Sequence, residues 1–266
     1  MKEAKLIVTP MISNVQLSSR KGDPIDNPFF YRSIVGALHY ATITRPEISF
    51  AVNKVCQFMQ QPLDTHLKAV KRILRYLKGT IDHGLVLHRP SNLFLSGFAD
   101  ADWASDIDDR RSTSGFCIYL GGNLVSWSSK KQQTVSRSST EAEYRSLASA
   151  TAEMIWLRNL LSELHIVQTR TPIIWCDNLS AVYLSANPVL HSKAKHIELD
   201  LYFVREKVAA KQIYVQHVPA LDQIADVLTK AISSSHFERL KNKLKVAPIA
   251  TFSLRGGNEV NRSNNI

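Results

Sequence analysis

Cysteine is scarce in this 266-residue chain: Cys56, Cys117 and Cys176 are the whole complement. They are odd in number, far apart and never paired as Cys-x-x-Cys, so neither a disulfide framework nor a zinc site is indicated, and a reducing compartment, cytoplasmic or nuclear, is expected. No run approaches the roughly 20 apolar residues of a membrane span. The first fifteen residues, with Lys2, Glu3 and Lys5, lack the apolar stretch of a secretory signal. Internal repeats and low-complexity tracts are also missing, although residues 255–266 are polar and expected to fray.

What is present is an ordinary globular composition, 44% hydrophobic and 21% charged, long enough for one large or two modest cores. The net charge of +10 points to a polyanionic partner, and its distribution sharpens the point. Residues 1–92 carry 13 basic and 6 acidic side chains, residues 93–232 carry 14 and 15, and residues 233–266 carry 6 and 2. Basic flanks of net +7 and +4 therefore enclose a middle segment of net −1. That layout suits flanks that grip phosphates around a centre that collects carboxylates.

Residues 1–27 read as an irregular arm broken by Pro10, Gly22 and Pro24. A helical module over 28–92 follows. Ile34, Val35, Leu38 and Ala41 recur at helical spacing, Arg45-Pro46 ends that helix and starts the next, and Ile48, Ala51, Val52, Val55 and Met59 form a second stripe. In a third helix Leu67, Val70, Leu74 and Leu77 make one face, while Lys68, Lys71, Arg72, Arg75 and Lys78 crowd the other before Gly79. Such a face is either simply solvated or tracks phosphates. Five cations with no acid among them favour the second.

From 93 to 232 the period changes. Three β-prone runs (93–99, 114–120 and 124–128) are followed by a long helix to about residue 164, the last two runs being joined by Gly121-Gly122-Asn123. Ser138 to Glu141 fits a capping box at its start. A strand over 172–176, a helix from about 180, a helix over 196–210, a strand over 213–218 and a helix over 223–232 complete the pattern. The fold class is therefore α/β, a mixed sheet flanked by helices and preceded by a small helical module. A basic helix and polar tail occupy 233–266.

The candidate chemistry starts in Phe-Ala-Asp-Ala-Asp-Trp-Ala-Ser-Asp, residues 98–106. Asp100 and Asp102 fall on the same face of an extended chain, which repels unless a cation, magnesium or manganese for hard oxygen ligands, lies between them. A solvated acidic turn is the plainer explanation, since Asp106, Asp108 and Asp109 follow at once. The order of elements tips the balance. Asp100 ends the first strand, Glu143 lies at the start of the long helix, Asp177 ends the fourth strand, and Asp226 begins the last helix.

This arrangement resembles the ribonuclease H fold, whose Asp, Glu, Asp, Asp carboxylates hold two metal ions. The wording Phe-Ala-Asp-Ala-Asp-Trp-Ala, Arg-Arg-Ser-Thr-Ser-Gly-Phe, Ser-Ser-Thr-Glu-Ala-Glu-Tyr, Cys-Asp-Asn-Leu-Ser-Ala, Lys-His-Ile-Glu and Ala-Asp-Val-Leu-Thr-Lys resembles the ribonuclease H region of copia-type LTR retrotransposon Pol polyproteins. Upstream, Tyr31 to Leu38, Thr44 to Ile48 and Lys71 to Thr80 are similar to the connecting segment of those polyproteins, so the likeness runs from about Thr9 to Lys245. One departure is Ser105, where a glycine is usual. A Tyr-x-Asp-Asp polymerase motif is missing, so the chain is not expected to copy nucleic acid, and a reverse transcriptase module would come from another chain.

The resemblance implies a ribonuclease cleaving the RNA strand of RNA–DNA hybrids with two Mg2+ ions, or Mn2+. Asp100 would bridge both ions, Asp177 would be a second core ligand, and Glu143 and Asp226 would each serve mainly one. Asp102 rivals Asp100. Glu141 rivals Glu143 but is more economically used by the capping box. His217 matches a loop histidine for proton handling or product release; Lys195, His196, Ser139, Thr140 and Asn178 are candidate substrate contacts, joined by the five cations of the third helix. The alternative functions are an idle nucleic-acid-binding remnant, or an integrase-like enzyme, which the late position of Asp226 and the early Glu143 disfavour.

Overall fold

The computed structural model describes residues 4–13, 16–187 and 197–249. Helix α1 (Pro28–Ala41) opens with Pro28 in its first turn and with the Asn27 side chain accepting the Phe30 amide hydrogen at 2.9 Å. A 3-10 turn at Pro46–Ile48 leads into α2 (Ser49–Cys56), and α3 spans Asp64–Gly79. The Arg45-Pro46 break has a structural use. The buried Arg45 guanidinium pairs with Glu47 at 2.6 Å and donates to the Thr80 carbonyl at 3.0 Å, closing the end of α3.

Strand β1 (His83–Leu85) pairs with β7 (Val246–Pro248), a two-stranded sheet for which the sequence offers no periodic signal. The main sheet holds β2 (Leu95–Asp102), β3 (Thr113–Leu120), β4 (Asn123–Lys131), β5 (Ile173–Cys176) and β6 (Tyr214–His217) in the order β4-β3-β2-β5-β6. The first three are antiparallel, while β2, β5 and β6 are parallel. Gly121 and Gly122, at φ +59° and +80°, form the tight turn between β3 and β4 that the glycine pair predicts. The remaining helices are α4 (Ser139–Glu163), α5 (Leu179–Ala186), α6 (Glu198–Ala209) and α7 (Ser234–Lys243). This mixed sheet flanked by helices, with α1–α3 before it, is the α/β class expected.

Each face of the sheet has its own core. On one, Leu95, Ala99, Ile118 and Ile174 pack against Tyr144, Leu147 and Met154 of α4 and against Leu201 and Val204 of α6. On the other, Cys117, Tyr119 and Leu124 share a continuous cluster with Leu38, Val55 and Ile73 of the upstream helices and with Leu228, Phe237 and Leu240. That second cluster crosses the division expected near residue 92, since residues on both sides of it bury one another.

The expectation of a helix over 223–232 is corrected. The segment forms a 3-10 helix at Ile224–Leu228 only, all five residues buried, and leaves helical geometry at Thr229. Packing explains the tighter coil: a Cβ at Gly115 of β3 would come within 2.7 Å of Thr229 and 2.8 Å of Leu228, so this segment is pressed directly onto a strand backbone. Glycine at 115 is what permits that approach.

Candidate metal centre

Strand alternation places Phe98 and Asp100 on the face toward the 3-10 helix, while Gly97 and Ala99 face α4. Asp100 is thereby buried at the sheet end. The Ser138 half of the predicted capping box forms at α4, where Ser138 Oγ accepts the Glu141 amide hydrogen at 3.2 Å, while the Glu141 carboxylate reaches one residue further back than a capping box requires. Glu141 itself accepts from the Arg137 amide at 2.8 Å and pairs with Arg145 at 2.8 Å, so its carboxylate is spent on the helix start. Two residues on, Glu143 is buried instead beside the carboxylates, with the Cys176 thiol 4.0 Å from its Oε2. Asp177 follows β5 directly, and Asp226 stands on the 3-10 helix.

Oxygen atoms of Asp100, Asp177 and Asp226 lie within 4.8 Å of one another, and Glu143 meets Asp177 and Cys176 within the same limit. Four carboxylates from four separate elements thus converge. Asp102, the rival of Asp100, ends β2 outside both groupings but close enough to feel Asp100 and Lys230 electrostatically. Burial first, and then the charge of Asp100, raises the pKa of Glu143, Asp177 and Asp226 above the ordinary carboxylate range. Burial likewise raises that of Asp102.

Three neighbours absent from the sequence-based candidates organise the cluster, all from the segment around the 3-10 helix. The Thr229 hydroxyl donates to Asp100 Oδ2. Gln223, fully buried, donates to the Ala99 carbonyl at 2.9 Å and to Asp177 Oδ1 at 3.4 Å. Lys230 lies 2.9 Å from Asp226 Oδ1 and 3.5 Å from Asp100 Oδ2. Burial opposes the Lys230 charge, yet Asp100 and Asp226 hold its pKa above the usual lysine value. The one available signal was spacing, because Lys230 is four residues beyond Asp226 on a presumed helix.

A divalent ion fits this donor set. The ligands are hard carboxylate oxygens, four acids face one ammonium, and the buried Asp226 Oδ1 receives no hydrogen bond, its contact with Lys230 falling outside hydrogen-bond geometry. Asp100, Asp177 and Asp226 form the all-oxygen grouping, with Glu143 reaching it through Asp177.

The other candidates are more scattered. His217 ends β6 in register with Cys176, at the same sheet end, with an exposed side chain that makes no hydrogen bond or ion pair among the described residues. Asn178 caps α5 by accepting from the Ala181 amide at 3.0 Å. Ser139 is exposed and Thr140 half-buried at the start of α4. Lys195 and His196 lie outside the described residues. Ser105 hydrogen-bonds Thr113 at 3.3 Å, and the left-handed residues between β2 and β3 are Ala104 at φ 52° and Arg110 at φ 59°, so position 105 places no demand for glycine.

The cations of α3 are partly engaged by the chain itself. Lys68 pairs with Asp64 at 2.6 Å, Arg72 donates to Thr9 Oγ1 at 2.8 Å, Arg75 to the Lys5 carbonyl at 2.6 Å and Lys78 to the Ala4 carbonyl at 3.1 Å. The arm therefore lies along the face that the sequence suggests for phosphates. Lys71 is exposed on it.

No family model matches the sequence. Among curated proteins it is 50% identical over 246 residues to the retrovirus-related Pol polyprotein from transposon RE1 of Arabidopsis thaliana, an alignment covering 92% of this chain and 17% of that one. The corresponding polyprotein from transposon RE2 of the same plant is 48% identical over 249 residues, covering 94% and 17%. The chain thus spans 17% of the length of each of these relatives. Among solved structures, the N-terminal RNase H domain of a Mycobacterium tuberculosis protein is 16% identical, covers 56% of this chain and 97% of its own, and overlays with a TM-score of 0.38, too loose to bear on the site.

Proposed function

The chain belongs to the copia-type Pol family of retrotransposons, and from that premise we propose that it is an endonuclease cleaving the RNA strand of RNA–DNA hybrids with the help of divalent magnesium or manganese. The observation that carries this reading is the convergence of Asp100, Glu143, Asp177 and Asp226 at one end of the sheet, each delivered by a different element. Divalent ions held by Asp100, Glu143, Asp177 and Asp226 would supply Lewis-acid activation of the attacking water and charge stabilisation of the leaving group.

On this reading the chain's own residues do the positioning. Asp100 stands at the centre, within reach of Asp177 and Asp226, and is steered by Thr229. Asp177 is aimed by Gln223. Glu143, buried against them, completes the negative wall. His217, exposed at the same sheet end, is the residue this reading assigns to proton handling or product release. Ser139 and Thr140, at the positive end of α4, are the contacts proposed for sugar or phosphate oxygens.

The test is cleavage of a hybrid whose RNA and DNA strands carry different labels, in Mg2+ and in EDTA. RNA cut only with the ion, and lost in Asp100→Asn and Asp177→Asn, supports the proposal. Binding of the hybrid without cleavage identifies the alternative, an idle nucleic-acid-binding remnant. Cutting of the DNA strand would refute both.

A further inference from the structure

The acids need a counter-charge whenever no ion is bound, and Lys230 provides it from within. Its ammonium lies 2.9 Å from Asp226 Oδ1 and 3.5 Å from Asp100 Oδ2, on the side of the cluster that an incoming cation must share. Asp100 Oδ2 is meanwhile also bonded to Thr229. One oxygen cannot keep the Thr229 hydroxyl, a lysine and a divalent ion together without crowding positive charge against positive charge. The lysine is the member able to leave, because its stem is flexible and its side chain is 34% exposed, whereas Thr229 is fully buried.

It also has somewhere to go. Lys230 lines a polar cavity of about 330 Å3 bounded by Lys54 and Phe50 of α2, by Leu17 of the arm, and by Asp102 and Trp103 at the end of β2. Asp102 is the acid of that cavity, and it already interacts electrostatically with Lys230. It stands two residues beyond Asp100 on the same face of β2, so a modest swing of the lysine side chain exchanges one carboxylate for the next.

We propose that Lys230 is an exchangeable counter-ion: it neutralises Asp100 and Asp226 in the ion-free protein, and on entry of a divalent ion its ammonium transfers to Asp102 across this cavity. The inference rests on the reading of the cluster as a metal centre. It gives Asp102 a role distinct from ligation, as the acceptor of the displaced lysine. No bond is made or broken, and the lysine stays charged throughout.

The experiment is Mn2+ uptake by the full chain, followed by paramagnetic resonance of free Mn2+, in wild type, Lys230→Gln, Asp102→Asn and the double variant. Removing a competing charge at this distance is expected to lower the half-saturating Mn2+ concentration roughly tenfold in Lys230→Gln. Asp102→Asn alone is expected to raise it about threefold by stranding the lysine, and to have no effect once Lys230 is gone, a coupling that a double-mutant cycle reads directly. An unchanged or weakened midpoint in Lys230→Gln overturns the exchange. So does an Asp102→Asn effect that persists in the double variant, since Asp102 would then be a ligand. Wild type that takes up no Mn2+ refutes the metal reading itself. If Lys230→Gln does not fold, the wild type still decides: the lysine Cε resonance assigned to Lys230 is expected to shift with the Mg2+ midpoint, and an unmoved resonance overturns the proposal.

Discussion

Gln223 donates to Asp177 Oδ1 at 3.4 Å while the same amide group holds the Ala99 carbonyl at 2.9 Å. One buried side chain therefore ties the residue after β5 to the backbone of β2 immediately before Asp100. Its own Oε1 accepts the Ala225 amide at 3.2 Å, which anchors the 3-10 helix carrying Asp226. Three of the four acids depend on it.

Gln223→Ala is accordingly expected to weaken Mn2+ binding by about 10- to 100-fold, the usual effect of removing a group that orients a ligand. The fold should survive at a cost of about 1–3 kcal/mol for the carbonyl left without a donor. Mn2+ titration paired with urea unfolding separates the two effects, and unchanged ion affinity would remove Gln223 from the site.

The ion-free protein is expected to lose stability as pH rises. Glu143, Asp177 and Asp226 have pKa values raised on folding, by burial and then by Asp100. The folded state therefore binds more protons than the unfolded one, and the slope of stability against pH is negative above the ordinary carboxylate values near 4. In EDTA, thermal midpoints should fall from pH 5 to 8, with Glu143→Gln and Asp226→Asn flattening the fall. Mg2+ should restore most of the loss in wild type. A pH-independent midpoint in EDTA would mean that the acids are already fully compensated.

The basic face of α3 should contribute less to nucleic-acid affinity than its charge suggests. Arg72 and Arg75 are held by Thr9 and Lys5 of the arm, so replacing both with Gln is expected to expose residues 4–13 to proteolysis while leaving the salt dependence of hybrid binding nearly unchanged. Lys71→Gln, by contrast, should reduce the slope of log affinity against log salt by up to about 0.9, one phosphate's worth. A steep loss of slope in the Arg72 and Arg75 variant would show that the arm yields this face to the nucleic acid.

A fragment covering 93–232 is expected not to fold alone. It would uncover Cys117, Tyr119, Leu124 and Leu228, which in the full chain are buried against Leu38, Val55, Ile73 and Leu240. Supplying residues 1–92 and 233–266 as separate chains should recover dispersed amide resonances. A well-dispersed spectrum from the isolated fragment would establish a division near residue 92.

What the sequence determined by itself is local. The Gly121-Gly122 pair, the Ser138 cap and the alternation along 95–102 are written in adjacent residues, because backbone propensity, turn chemistry and strand period act over a few positions. The engagement of Glu141 at the helix start was legible for the same reason, since a capping residue is recognised by its spacing, and the Arg137 amide and the Arg145 side chain hold Glu141 there. Tertiary structure alone decided which charge meets which. Arg72 and Arg75 face the arm, Lys230 sits among the acids, and Gln223 and Thr229 serve Asp177 and Asp100, because segments remote in sequence are packed onto them. The shortening of the last predicted helix to Ile224–Leu228 has the same origin: contact with Gly115 on a distant strand overrides a helical period that is correct in itself but too weak to resist packing.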